Sequence, residues 1–215
     1  MRANLTEPIS ATRVRLLEAA GEVFVEQGFR AATVREICRR AAANVAAVNY
    51  HFRDKLSLYE ATFAYWAQSA LEKYPPTLGL GPNPTAEERL AAYVRSFLYR
   101  ILDGGKSAWF GKLMSREMQD PTAVLDRRVA DTIKPLSDLL HDLVRQVASA
   151  TLSPEIVRNV AGSIVGQIVF YHHSRPIIAR LFPELTNTPD QIDALAQHIT
   201  RFSLAGLREL AKPEV

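Results

Sequence analysis

The chain has one cysteine in 215 residues, Cys38, and so cannot hold an internal disulfide framework or a cysteine-rich zinc site. It has no long apolar run. The longest, around Val160 to Tyr171, is interrupted and falls short of the roughly 20 residues that span a bilayer. The opening MRANLTEPIS lacks an apolar core for secretion, and with the lone thiol this sets the expectation of a soluble, cytoplasmic protein with no membrane partner. Enzymatic landmarks are missing as well: there is no nucleophile elbow, no phosphate-cradling glycine loop and no HExxH. No catalytic residue, cofactor or metal is therefore assigned. Asp138 with His141, and the adjacent His172 and His173, come nearest to a metal set, but neighbouring helical residues point in different directions and solvated or capping roles fit them better.

Net charge is small too, with 26 Lys and Arg against 23 Asp and Glu. The excess is concentrated, however. Between positions 30 and 55, Arg30, Arg35, Arg39, Arg40, Arg53 and Lys55 face only Glu36 and Asp54, a local +4 where the whole chain is +3. Basic character confined to one compact helical stretch is the electrostatic footprint of a surface that meets a phosphate backbone.

The stretch TVREICRRAAANVAAVNYHFRDKLSL, from Thr33 to Leu58, can be built from its residues. Thr33 and Glu36 have the spacing of a capping box. The helix they open carries Val34, Ile37, Cys38 and Ala41 on one face, with Arg35, Arg39 and Arg40 largely on the other. That placement expects Cys38 to be a buried structural thiol. Ala41, Ala42 and Ala43 form a turn, and Asn44 is a good N-cap for a second short helix. Val45, Ala46, Ala47, Val48, Asn49 and Tyr50 in that helix include no charge at all. In a helix-turn-helix the second helix enters the major groove, where small apolar side chains touch thymine methyls and Asn pairs with adenine. Asp54 can cap a further helix, with Lys55 at its amino end placed to clamp a phosphate. Thr33, Tyr50 and His51 are further phosphate candidates, although His51, beside Phe52, equally suits packing in the domain core.

Thr33, Ile37, Ala41, Val48, His51, Phe52, Lys55 and Leu58, preceded by a helix with Ala19, Ala20, Phe24 and Gly28, resemble at fixed spacing the DNA-binding domain of TetR-family transcriptional regulators. The NVAAVNYHF segment is similar to the CecR-type subgroup. Two positions depart from the family pattern: Ala42 stands where Gly is usual, which strains the turn, and Asn49 stands where Tyr is commoner, with Tyr50 one place later. The resemblance implies an all-α fold, with a helix-turn-helix DNA-binding domain over residues 1–54 and a larger helical ligand-binding and dimerisation domain over residues 55–215. It implies a repressor that binds a palindromic double-stranded DNA operator as a homodimer and responds to a small-molecule effector. The DNA-contacting set is Thr33, Arg39, Asn44, Val45, Ala46, Asn49, Tyr50, His51 and Lys55. Residues 1 to 9 read as a mobile arm, for which a frayed terminus is the leading account and Arg2 reaching toward DNA the lesser one.

The remainder reads as helix throughout. A first helix from about Ser10 or Thr12 to Gln27 ends at Gly28. Thr85 with Glu88 is another capping box, and Asp120-Pro121, Ser153-Pro154 and Thr188-Pro189 each read as a cap followed by proline at the first helical position. Pro135 should kink or divide a long helical stretch. The last two helices, about Pro154 to Ser174 and Pro189 to Leu210, are apolar over more than one stripe and are the expected dimer surface, with Gly162 and Gly166 allowing close approach. Phe63, Trp66, Tyr93, Phe97, Trp109, Phe110, Met114, Met118 and Phe170 are candidates for a ligand cavity, the competing account being that they fill the core. Arg100, Arg116, Glu117, His172 and His173 are polar groups near them that could orient a ligand. The alternative from another class is a helical small-molecule binding protein whose head no longer reads DNA.

Overall fold

A computed structural model describes residues 10–148 and 152–212, so the expected arm of residues 1 to 9 lies outside the described residues. The chain is helical and carries no strand among the described residues. It divides into two compact units, one of Met1–Gln68 with Lys112–Leu125, the other of Ser69–Gly111 with Asp126–Val215. These do not coincide with the expected 1–54 and 55–215. No helix among the described residues is long and apolar enough to cross a membrane.

In the first unit, α1 (Ala11–Ala31) begins at Ser10, whose hydroxyl accepts from the Arg13 amide, and breaks at Gly28, where φ is +76°. Only glycine takes that conformation without strain, so the expected stop falls where it should. Then come α2 (Val34–Arg40), α3 (Val45–Phe52) and α4 (Lys55–Lys73). Leu16, Leu17, Ala20, Val23 and Phe24 of α1 are buried, as are Ile37, Val48 and Phe52, with Leu58, Tyr59 and Phe63 of α4. Each large side chain so buried contributes about 1.5–3 kcal/mol relative to leaving it in water. Phe24 meets Tyr59 edge-on at 4.6 Å between ring centroids, and Tyr59 meets Phe63 at 5.0 Å. Trp66 packs where Gly21 leaves room, since a Cβ there would lie 2.4 Å from the indole nitrogen. Cys38 is buried, as expected, and burial pushes its thiol up.

The second unit is organised around α5 (Ala86–Leu102), which packs against α8 (Lys134–Ala148), α9 (Pro154–His173) and α11 (Pro189–Leu210). Leu90, Val94 and Leu98 of α5 share one core with Leu140, Val144, Val157, Ile164, Ile192 and Ile199. The Thr85–Glu88 box forms in full, and Ser153 and Thr188 cap α9 and α11 with proline in the first turn, as the spacing predicts.

One expectation is corrected, one is met through a local defect, and one helix was not foreseen. Asp120-Pro121 does not open a helix: Asp120 pairs with Arg30 at 2.9 Å, and α7 (Val124–Arg128) starts three residues later, where the Thr122 hydroxyl accepts from the Val124 amide. Pro135 divides its stretch through a one-turn π segment, Val129–Ile133, in which the Lys134 amide reaches back five residues to Val129 O. A proline in the following turn supplies no amide, and the wider register absorbs the defect. An unexpected helix, α10 (Arg175–Leu181), follows α9 and buries none of its residues. A short 3₁₀ turn, Lys106–Ala108, leads into α6 (Trp109–Gln119).

Candidate nucleic-acid interface

The Thr33 hydroxyl accepts from the Glu36 amide at 3.2 Å, so half of the expected capping box is present. The other half is absent because the Glu36 carboxylate is engaged elsewhere. It takes both forks of Arg39 at 2.8 and 2.7 Å and the Nε of Arg40 at 2.8 Å. Those two guanidinium groups, Arg39 foremost, hold its carboxyl down at about 2. The turn follows, with Ala42 at φ +48°, a left-handed conformation that costs a residue with a Cβ on the order of 1–2 kcal/mol. This is the strain expected of alanine in a glycine position. Arg15 steadies the turn from α1, its Nε donating to Ala41 O at 3.2 Å.

Asn44 then caps α3, its side-chain oxygen accepting from the Ala47 amide at 2.8 Å. Val48 and Phe52 face inward and are buried, leaving Val45, Ala46, Asn49 and Tyr50 exposed. Positions i, i+1, i+4 and i+5 lie on one side of a helix, so the outward face of α3 is uncharged and carries one amide and one phenol. Tyr50 is 85% exposed. His51 is half-buried, edge-on to Tyr50 at 4.9 Å and with Nε2 3.5 Å from Ser10 Oγ. Arg53 closes the helix at φ +73°, and Asp54 caps α4 by accepting from the Ser57 amide at 2.7 Å, a bond that holds its carboxyl below the usual range.

Lys55 is placed differently from the expected phosphate clamp. Its ammonium donates to Ala32 O at 2.7 Å and Arg30 O at 3.2 Å and lies 4.6 Å from the centre of the Phe29 ring. Two of three donors therefore tie the start of α4 to the end of α1, and partial burial lowers the ammonium's pKa. The local +4 is also less free than a count along the chain suggests. Arg40 makes a bidentate pair with Glu26 and a longer one with Glu22, besides Glu36, and Arg30 pairs with Asp120. The fold brings in three acids from outside the 30–55 window. Of the six cations, Arg35, Arg53 and Lys55 form no ion pair among the described residues.

The nine candidate ligand residues are split: Phe63, Trp66, Met114 and Met118 belong to the first unit, Tyr93, Phe97, Trp109, Phe110 and Phe170 to the second. Phe63, Trp66 and Tyr93 are buried core, Phe97, Trp109, Phe110 and Met114 are half-buried, and Met118 and Phe170 are about half exposed at 51% and 54%. Met118 and Phe170 thus lie at the surface, because each falls on the outward side of its helix. Of the polar candidates, Arg116 donates to Val25 O and Glu26 O, at 2.8 and 3.0 Å. Glu117 is buried and accepts from Tyr59 Oη at 2.8 Å and from the amide and hydroxyl of Thr122 at 2.7 and 2.8 Å. Burial and that carboxylate push the Tyr59 phenol well up. His172 Nδ1 lies 3.1 Å from Ile101 O, and His173 is exposed. Among the described residues no three His, Cys, Asp or Glu side chains are grouped so as to hold a metal ion.

Residues 16–62 match the family described as bacterial regulatory proteins, tetR family, and residues 86–207 match the C-terminal domain of the HTH-type transcriptional dual regulator CecR. The chain is 39% identical over 118 residues to the uncharacterized HTH-type transcriptional regulator TtgW of Pseudomonas putida, covering 55% of this chain and 83% of that protein. It is 27% identical over 138 residues to SrpR, an HTH-type transcriptional regulator of Pseudomonas putida, covering 64% of this chain and 62% of SrpR, less than two thirds of its length. A TetR-like transcriptional regulator from Rhodococcus sp. RHA1 shares the fold, with a TM-score of 0.67 at 19% identity over 94% of this chain and 100% of that one.

Proposed function

The chain belongs to the TetR family of bacterial regulatory proteins, and from that premise we propose that it is a ligand-responsive repressor, binding a palindromic operator as a homodimer and released by a small apolar or aromatic molecule. The family is one of transcriptional regulators and not of enzymes. The observation that carries the reading is the outward face of α3. Val45, Ala46, Asn49 and Tyr50 stand exposed on a helix pinned by the Asn44 cap and by buried Val48 and Phe52. Val45 and Ala46 are small enough to let the backbone approach base edges and meet thymine methyls, and Asn49 pairs with adenine. Thr33, Arg39, Tyr50 and His51 lie toward the flanking phosphates. Lys55 acts mainly by fixing α4 against α1, with one donor left for a phosphate.

A second copy fits the outer faces of α9 and α11. Phe170, Phe202 and Leu210 are exposed there, and a Cβ at Gly162, Gly166 or Gly206 would meet nothing within 4 Å of its own chain. One short reader helix gives weak discrimination; two half-sites one helical turn apart give useful affinity. Both α4 and α6 run from one compact unit into the other, so an effector that displaces either alters the separation of the two readers.

The test is selection of bound sequences from a random DNA pool, then titration of the winner at several salt concentrations. The reading expects a palindromic consensus bound at least about 10³-fold more tightly than random DNA. Weak, salt-sensitive binding without a consensus would favour the helical ligand-binding alternative.

A further inference from the structure

Arg100 lies near the end of α5 with 4% of its surface exposed. Its Nε donates to Ser96 O of the same helix at 3.3 Å, and its guanidinium carbon lies 5.1 Å from the centre of the Phe97 ring. The buried Nη2 meets no acceptor, and no carboxylate among the described residues pairs with it. Burial lowers its pKa only to about 10, so the group stays cationic at neutral pH. Three other buried or half-buried arginines find an acid: Arg40 has Glu26 and Glu36, Arg95 has Asp193, and Arg128, whose Nε is also buried without an acceptor, has Asp131. A buried charge without a partner is among the most unfavourable arrangements in a protein interior and is retained where something else supplies the partner.

We propose that Arg100 is the anion-binding residue of the effector site, and that the effector carries a carboxylate beside an aromatic or alkyl body. The carboxylate seats on Nη2 of Arg100, because a planar guanidinium with free donors matches carboxylate geometry. The body lies along Phe97 and Tyr93, which pack edge to face at 6.4 Å; Tyr93 is held by its hydroxyl donating to Leu136 O at 3.1 Å. The proposal rests on the effector-responsive reading above and narrows it, since an apolar molecule without an anionic head leaves Nη2 bare.

The experiment is thermal unfolding of the full-length protein with matched pairs of probes, octanoate against octanamide and 4-phenylbutyrate against 4-phenylbutanamide, repeated on Arg100→Met. The acids are expected to raise the midpoint by several degrees at millimolar concentration and the amides by at least tenfold less at equal concentration. Arg100→Met should unfold no earlier than the parent protein and should respond to acid and amide alike. Equal responses to acid and amide in the parent protein overturn the proposal, as does the absence of any response. A variant that unfolds earlier while keeping the acid preference also overturns it, assigning Arg100 a purely structural role. If Arg100→Met does not fold, the comparison of acid with amide on the parent chain decides alone. None of these readings involves DNA. A consensus operator with no acid preference removes only the effector inference, and an acid preference with no consensus removes only the operator reading.

Discussion

In the unit that carries α1 to α3, Arg40 is surrounded by Glu22, Glu26 and Glu36, and Arg39 shares Glu36 with it. In the unit built on α5, α8, α9 and α11, Arg100 is buried with a bare Nη2. The first arrangement suits a surface meant to present a shape. Arg39 and Arg40 are held in fixed positions by acids, and the outward face of α3 is left uncharged, which on the proposed reading leaves discrimination to Asn49 and small apolar contacts. The second suits an interior meant to receive something, because the missing partner is a demand that only a ligand or water can meet.

The largest expected effect sharpens this contrast by making an orphan in the head. Glu117→Ala leaves the Tyr59 hydroxyl and the Thr122 amide and hydroxyl without their acceptor in a buried site. Chemical denaturation should show a loss of about 3 kcal/mol. A loss under half of that would mean the network is not closed to water. Next comes Asn49→Ala, expected to cost about 1–3 kcal/mol at one base pair while leaving the others unchanged. It is scored by repeating the sequence selection, and a uniform loss on every sequence would remove the base-reading role.

Lys55→Ala distinguishes a positioning cation from a phosphate contact. Because two of its donors go to Ala32 O and Arg30 O, the variant should bind all sequences more weakly with an unchanged salt slope. A slope shallower by about one counterion would instead place Lys55 on the phosphate. Ala42→Gly should stabilise the head by about 0.5 kcal/mol, since relief at φ +48° outweighs the glycine's extra entropy in the unfolded chain. The smallest effect concerns Glu36, a half-buried side chain at the head's surface. Its carboxyl is depressed to about 2, so the stability it lends is complete above the ordinary value near 4.5 and lost as pH falls through about 2. Melting temperature followed across that window should fall less steeply in Glu36→Gln, and an identical acid limb would show that Arg39 and Arg40 contribute nothing through it.

Much of the head was legible because its signals are local. Thr33, Asn44 and Asp54 are caps, and a cap needs only its own side chain and an amide three residues on. Gly28 and Ala42 announced their positions through backbone conformations that follow from the turn. The free charge of the head was not legible, because Glu22, Glu26 and Asp120 lie outside the basic stretch and meet it only in the fold. The carbonyl partners of Lys55 were not legible for a related reason: a lysine at a helix start reads as a phosphate clamp until the end of α1 is seen to offer it acceptors. The ligand set was the least legible. Aromatic and Met residues at helical spacing look alike whether they fill a core, as Phe63 and Tyr93 do, or face outward, as Met118 and Phe170 do. Arg100 was legible only as one of five polar groups that could orient a ligand, being an arginine seven residues after Tyr93 on a largely apolar helix; its isolation appears only in three dimensions.

The sequence by itself determined the helices, most of their ends, and the reader pair α2 and α3, because hydrophobic period, caps and prolines act over three or four residues. It determined the family through side chains at fixed spacing in that same stretch. Tertiary structure alone decided which charges are neutralised, where Lys55 reaches, that α7 starts late and that Arg100 is unpaired. Each of these depends on groups far apart along the chain meeting or failing to meet, and electrostatic and hydrogen-bond satisfaction falls off within a few ångströms in space, whatever the separation in sequence.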